Sequence, residues 1–573
     1  MRLRSEEWFQ GAPDNTFQHR SALRTIGHLP ENYIGKPIIG IANSWSDFNN
    51  CNMPHKELVE WVKKGVIMAG GYPMEFHTIT TPADLMKPSD LVYRNLMAMD
   101  VEEMVRSQPI DGLVLLAECD KTTPAQLMAA ASCNIPAIQL AAGHRSSGTF
   151  RGETVTYATD LWKYLDEYKA GLLKQQEWDE LEGCMSCSAG GCAVMGSAST
   201  IKCMSEMLGM MLPGTACIPA VDSRRVEAAI ATGKRIVEMV QQDLRPSDLM
   251  TPSAFHNAFK LLAALGGSTN AIIHLTAIAG RRGIHLDLAQ IQTLMQDIPL
   301  IVNLQPSGSF NMDAYYQAGG LPATIRQLLP LLESACLGAT GETIAKIYGE
   351  ETVKIPGVIT SIDEPVQAAP TLVMLQGNIA PNGAIIKKSA SSEQLLKHRG
   401  KAVTFHSYED MLERIDSDEL EVDETSILVM KNCGPVGEGM PEWGSIPIPR
   451  KLLKQGIKDL VRISDARMSG TSYGTVVLHI APEAAIGGPL AIVEDGDMIE
   501  LDVLQGSIQL IVEDAVILQR LQHWRRPVPR HHRGYPRLYA DHVLQAPEGC
   551  DFDFLRPQSV NELPFVEPII GRG

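Results

Sequence analysis

Leu113-Val114-Leu115-Leu116-Ala117-Glu118-Cys119-Asp120-Lys121-Thr122-Thr123-Pro124 is a short apolar run that turns polar at a cysteine and then meets a proline. The run Leu113 to Ala117 reads as a buried strand and the stretch around Cys119 as a loop. Pro124 reads as the first residue of the next helix, where its missing N–H costs nothing. Upstream, Pro37-Ile38-Ile39-Gly40-Ile41-Ala42 reads as another strand and a polar loop carries Cys51. Leu58, Val62 and Val66 then share one helical face until Gly70-Gly71 ends it. Short apolar runs alternating with amphipathic segments over the first two-thirds of the chain predict an α/β layer structure with parallel strands. Such sheets hold ligands beyond the carboxyl ends of their strands, where both cysteines fall.

After a helical region reaching about residue 350 the composition becomes β-rich. Ile427 to Met430 and Val476 to Leu478 read as strands; Asp497 to Val503 and Ile508 to Val512 read as a pair joined by a turn at Gly506. A chain of 573 residues exceeds what one core organises. The expected division is an α/β domain over 1–370 and a β-rich domain over 371–573, after Asp363-Glu364-Pro365. With 50 Lys+Arg against 67 Asp+Glu the net charge is −17, and the basic residues are dispersed except around Arg525-Arg526 and Arg530 to Arg533, which argues against nucleic acid. No run approaches the ~20 apolar residues of a membrane helix, and Met1 to Glu7 lacks the apolar core of a signal peptide, so no membrane partner and a cytoplasmic location are expected. The 11 cysteines then read as reduced thiols, with Cys133, Cys203, Cys217 and Cys336 as core residues.

Cys51, Cys119 and Cys192 would bring soft thiolates from separate loops, which suits an iron–sulfur cluster with one coordination position open; Asp120, beside one of them, suits a hard ion such as Mg²⁺. Gly191 to Thr200 is a small-residue turn entering a helix, able either to approach an inorganic group or to pack tightly. Cys184 and Cys187 form a C-x-x-C with no second pair to complete a site. Lys121 reads either as an ion-pairing residue or as an amine desolvated enough to stay neutral and react with carbon dioxide, giving a carbamylated lysine that offers oxygens to a divalent cation. Ser469, in the loop Arg462 to Gly474, lacks the setting of an acyl-transfer triad; it is either a base held as alkoxide by a metal or part of a polar turn. Glu442 lies in a constrained loop, Gly439 to Gly444, and Gly266 to Asn270 reads as helix packing.

Taken together these segments resemble the dihydroxy-acid dehydratase and phosphogluconate dehydratase family. The residues that carry the resemblance are Cys119 to Pro124, Gly191 to Thr200, Leu265 to Asn270, Gly377 to Gly383, Met440-Pro441-Glu442, Ser469-Gly470-Thr471 and Ala481 to Pro489, in family order over nearly the whole chain. Pro441 to Gly444, Tyr473-Gly474-Thr475 and the tail Leu538 to Ala546 are most similar to the sugar-acid (aldonate) branch. The resemblance implies a [2Fe-2S] cluster on Cys51, Cys119 and Cys192. It further implies Mg²⁺ on Asp120, carbamylated Lys121 and Glu442, Ser469 as the base, and Thr471 and His542 as substrate contacts. It also implies a barrel-like second domain, a homodimer or homotetramer, and dehydration of a 2,3-dihydroxy sugar acid to a 2-keto-3-deoxy acid. The alternatives are a dihydroxy-acid dehydratase of branched-chain amino-acid synthesis and a non-catalytic, cluster-binding paralogue.

Three departures from the family pattern fall at the pocket. Thr80-Thr81-Pro82-Ala83-Asp84 puts Ala83 where the sugar-acid branch has an acidic Mg²⁺ ligand, with Asp84 next to it. Gly143-His144-Arg145 replaces the usual Gly-Pro-Met, and Gly437-Glu438-Gly439 is one residue short. Metal affinity and substrate choice are expected to turn on these positions.

Overall fold

The computed structural model describes residues 2–557, 559 and 567–571, so residues 558, 560–566 and 572–573 of the expected second domain lie outside the described residues. Four parallel strands, β1 (Ile38–Asn43), β2 (Tyr72–His77), β3 (Gly112–Leu116) and β4 (Ala137–Leu140), form a sheet in the order β2-β1-β3-β4. β1, β3 and β4 are buried along their whole length, as expected for strands covered on both faces. The helix His55–Met68 buries Leu58, Val62 and Val66 and stops before Gly70, whose φ of +85° supplies the left-handed turn. The helix after β3 starts at Thr122 rather than at Pro124. Pro124 therefore sits later in the first turn, where its N–H still has no intrahelical acceptor to lose.

A two-stranded ribbon, β5 (Gly148–Phe150) with β6 (Glu153–Val155), leads into a largely helical stretch. All eight strands of the second sheet follow: β7 (Val373–Leu375), β8 (Ala384–Ile386), β9 (Lys397–Phe405), β10 (Ile427–Met430), β11 (Val461–Ser464), β12 (Val476–Leu478), β13 (Met498–Asp502) and β14 (Ser507–Leu510). Their order is β14-β13-β9-β10-β11-β12-β8-β7. Gln376 all but closes the sheet on itself, its N–H donating to Gly506 O at 2.9 Å and its carbonyl accepting from Ile508 N at 3.0 Å. Gly377 is required there, because a Cβ would lie 1.7 Å from the Ile508 carbonyl oxygen. The chain thus has the expected mixed α/β class with a barrel-like second sheet.

Strand alternation couples the two parts. Val373, Leu375, Ile386 and Val477 point into the barrel, while Met374, Ile385, Val476 and Leu478 point out and join the apolar core around the first sheet. Lys387, just past β8, is buried with no hydrogen-bond partner for its Nζ among the described residues, and burial pulls its pKa from 10.5 down to about 7. Between those values the unfolded chain holds a proton that the folded chain does not, so stability rises with pH across that window. Lys387→Met is expected to stabilise the protein by ~3–5 kcal/mol at pH 6 and by much less at pH 10. Thermal melts at the two pH values check this; equal gains at both would contradict it.

Candidate active site

The carboxyl ends of all four parallel strands feed one cavity of about 550 Å³. The loop after β1 brings Cys51, that after β2 brings Ala83, Asp84 and Asp90, that after β3 brings Cys119 and Asp120, and that after β4 brings Arg145. Cys192 arrives from the turn before the helix Ser197–Met207. Opposite them, the loops after β10 and β11 supply Glu442 and then Arg467, Ser469 and Thr471. Gly196 lets the two sides meet, since a Cβ there would stand 2.6 Å from Thr471 Cγ2.

On the thiol side Cys51 and Cys119 are buried, Cys192 is partly buried, and all three are free. The Asn52 side-chain carbonyl accepts from Glu118 N at 2.7 Å and Cys119 N at 3.3 Å, fastening the Cys51 and Cys119 loops together. A hydrogen bond with Cys51, followed by burial, raises the Cys119 thiol well above its usual pKa; burial also raises Cys192. Such thiols stay protonated until a metal cation displaces the proton, and metal ligation is the usual way for buried thiolates to exist. Among the described residues no three His, Cys, Asp or Glu side chains form a preformed single-ion cage. The fit of a metal group therefore rests on donor chemistry, soft on this side and hard on the next.

Asp90, Asp120 and Glu442 surround Lys121, which is fully buried. Its Nζ contacts Asp120 closely and lies 3.2 Å from Asp90 Oδ2 and 3.6 Å from Glu442 Oε1. Arg467 reaches Asp90 Oδ1 at 3.3 Å, Glu442 Oε1 at 3.4 Å and the Met440 carbonyl at 2.7 Å. Of the two readings of Lys121, these contacts match the ion-pairing one. Burial and Arg467 lower its pKa, but Asp120, Asp90 and Glu442 outweigh them, and the amine is held protonated above its usual range. Asp90 was not anticipated from sequence: it stands at the N-cap position of the helix Leu91–Ser107 yet makes no cap hydrogen bond, its carboxyl turned instead toward Lys121 and Arg467. Burial raises its pKa. Asn270, from the segment read as helix packing, donates to Glu442 Oε1 at 3.3 Å and to Ser197 Oγ at 2.9 Å. The shortened loop at Gly437 to Gly439 docks on the Asp90 loop, Ser89 Oγ donating to Gly439 O at 2.6 Å.

Ser469 Oγ is 2.8 Å from Thr471 Oγ1, and Thr471 Oγ1 in turn accepts from Trp162 Nε1 at 3.2 Å. Either hydroxyl can donate in the Ser469–Thr471 pair, and once Ser469 Oγ is anionic only Thr471 can. A donor aimed at a serine oxygen favours its anionic form.

The structure brings Ser469, Thr471, Cys51, Cys119, Cys192, Asp120, Lys121 and Glu442 together, but not His542. The His542 ring is half-exposed, its Nδ1 is 3.1 Å from Asp553 Oδ1 and it packs edge-on against Phe554, so it takes no part in lining the cavity. Cys184 and Cys187 are also absent from the lining; the exposed Cys187 thiol donates to the Cys184 carbonyl at 3.2 Å. Asp84 lines the same cavity. Its oxygens accept from Asn50 Nδ2 and Tyr157 OH, each at 3.2 Å, on the thiol side.

Residues 36–347 match the N-terminal, and residues 357–550 the C-terminal, sequence profile of dihydroxy-acid/6-phosphogluconate dehydratases. The chain belongs to this family. It is 48% identical to L-arabinonate dehydratase of Rhizobium leguminosarum bv. trifolii, over 97% of this chain and 96% of that protein. It is 44% identical to 6-deoxy-6-sulfo-D-gluconate dehydratase of Pseudomonas putida, over 98% of each. Dihydroxy-acid dehydratase of Moorella thermoacetica is 37% identical, over 93% of this chain and 97% of that protein. Among these dehydratases the higher identities fall to the proteins named for sugar acids, and this chain is a dehydratase of the aldonate branch. Among its described residues no helix is long and apolar enough to cross a membrane.

Proposed function

We propose that this dehydratase converts a 2,3-dihydroxy aldonate to the 2-keto-3-deoxy acid, with Cys51, Cys119 and Cys192 holding a [2Fe-2S] cluster and Asp120, Glu442 and carbamylated Lys121 holding Mg²⁺. The observation that carries the reading is one cavity lined by three thiols, a group of carboxylates and a serine whose oxygen is hydrogen-bonded by a neighbouring hydroxyl. When bound, the two metal groups supply Lewis acidity, hard toward the carboxylate and 2-hydroxyl and soft toward the 3-hydroxyl. Ser469 Oγ takes the C2 proton, and Thr471 Oγ1, 2.8 Å away, donates to the oxygen while it is anionic. Arg467 and Asn270 orient Glu442.

The protein's Lys121 bears on the order of assembly. While Asp90, Asp120 and Glu442 depend on the ammonium for neutralisation, the amine is protonated; were Asp120 and Glu442 to hold a divalent cation, the amine could lose its proton and add carbon dioxide, giving the carbamate and a second released proton. Asp90 then remains paired with Arg467.

Anaerobically reconstituted protein assayed against a panel of aldonates tests the function; no keto acid from any of them, or turnover of dihydroxyisovalerate alone, would defeat it. A homodimer or homotetramer in the cytoplasm belongs to the same proposal and is checked by light scattering and cell fractionation. Thr471→Val removes the donor at Ser469 and is expected to lower kcat about 10- to 100-fold, the value of a hydrogen bond to a charged oxygen. It should also move the ascending, acidic limb of the kcat–pH profile to higher pH, and an unchanged profile would show that Thr471 acts elsewhere.

A further inference from the structure

Arg145 lines the cavity, is 95% buried by its 5% relative exposure, and has no part in the chemistry described above. Its backbone is bound into the thiol loops. Arg145 N donates to Gly191 O at 2.9 Å, Gly191 N to Gly143 O at 2.9 Å, and Gly190 N to Asn50 O at 3.1 Å, so the segments bearing Cys192 and Cys51 are both tied to this one. Gly190, at φ +129°, is needed for that approach, since a Cβ would stand 2.7 Å from Gly143 O and 2.9 Å from Arg145 N. The guanidinium lies over the Tyr157 ring at 4.6 Å and its Nε donates to Gly190 O at 3.3 Å. Its Nη2 is buried with no hydrogen-bond partner among the described residues.

A buried guanidinium proton without an acceptor is costly, and such a donor marks a missing partner. The ionisable groups that face it are Cys51, Cys192, Asp84 and Tyr157. Asp84 is already occupied by Asn50 and Tyr157. What remains is the group that the thiols hold. Hydrogen bonds to sulfur and nearby charge set the potential of iron–sulfur centres.

Resting on the cluster reading of the preceding section, we propose that Arg145 is a positioning residue of the thiol centre: Nη2 donates to a sulfur of the group held by Cys51, Cys119 and Cys192, and the guanidinium offsets its negative charge. The position is occupied by an arginine because the guanidinium can stack on Tyr157, hold Gly190 O through Nε and still present a second donor, which a methionine cannot.

The test is the reduction potential of the reconstituted holoenzyme, followed by its visible absorption, for wild type, Arg145→Met, Arg145→Lys and Asp84→Asn, with iron and sulfide content measured on the same samples. Arg145→Met should make the centre at least tenfold harder to reduce, a fall of about 59 mV for a one-electron couple. Arg145→Lys, which keeps the charge, should recover most of that shift, and Asp84→Asn, which removes an opposing anion, should shift the potential upward. Should Arg145→Met take up no iron while its circular dichroism matches wild type, Arg145→Lys decides: loading near the wild-type potential supports the proposal, and failure to load overturns it. An Arg145→Met protein that holds its cluster at the wild-type potential also overturns it; if KM alone rises in that case, Arg145 binds substrate instead. Wild-type protein that takes up no iron would remove the cluster reading itself, and this proposal with it.

Discussion

Ser469→Ala is expected to lower kcat by about 10³-fold or more while leaving KM and metal content near wild type. A positioned general base contributes 10²–10⁴-fold, and the proton at C2 of a hydroxy acid is weakly acidic, which places this case toward the upper end. The side chain is small, partly exposed to the cavity and bonded through its hydroxyl to Thr471, so its loss opens no apolar void in the core. Ser469→Cys, which restores an ionisable atom at nearly the same place, is a second arm: partial recovery would point to proton removal at this position, whereas equal loss in both would point to a role in holding the loop. Single-turnover measurements of C2 deuteron release from labelled substrate separate the two directly. If Ser469→Ala retained more than a tenth of wild-type turnover, the base would have to be sought among the other groups of the cavity.

The parts of this site that the sequence made legible share a physical trait: their local signal and their role coincide. An apolar run that ends in a cysteine predicts a strand end and a donor at once, and Cys51 and Cys119 follow β1 and β3, neighbours in the sheet. The β-rich region was equally open to reading, because the alternation in Met498 to Asp502 and the turn at Gly506 belong to the strand pair itself. Asp90 was hidden because an aspartate at a helix start already has an ordinary explanation as a cap, and only the fold reveals that its carboxyl faces Lys121. Asn270 was hidden for a related reason: it sits in a segment with a sufficient packing role and reaches Glu442 across a domain-scale separation in sequence, while Arg467 lies in the serine loop and shows its role only through its contacts with Asp90 and Glu442. The charge state of Lys121 stayed open for another reason. Burial alone favours a neutral amine, and the decision belongs to carboxylates contributed by three separate loops. His542 was named from its place in a motif, which carries no information on whether its ring turns inward.

Lys121→Met separates two roles that one lysine can have here. In the absence of a divalent ion the ammonium and Arg467 face three carboxylates, and deleting one buried cation leaves Asp90, Asp120 and Glu442 under-neutralised, with an expected loss of about 3–5 kcal/mol. Because the ion pairs raise the folded-state pKa of Lys121 above 10.5, this stabilisation is fully present below the unfolded value and is lost only as pH rises through the folded one. The deficit of the variant is therefore expected to be constant across neutral pH. The Mg²⁺ affinity gives the sharper answer. If Lys121 stays an ammonium in the working enzyme, it competes with the ion, and its removal must tighten binding. If it becomes a carbamate, it is a ligand, and its removal must weaken binding. The expected result is weakening by at least about tenfold, typical of losing a group that holds or orients a metal, together with turnover about 10³-fold or more below wild type. Isothermal titration of the metal-free proteins with Mg²⁺, in buffers with and without bicarbonate, decides between them. Tighter binding in the variant, or wild-type affinity indifferent to bicarbonate, would leave Lys121 as a counter-ion and assign the hard-ion site to Asp90, Asp120 and Glu442 alone.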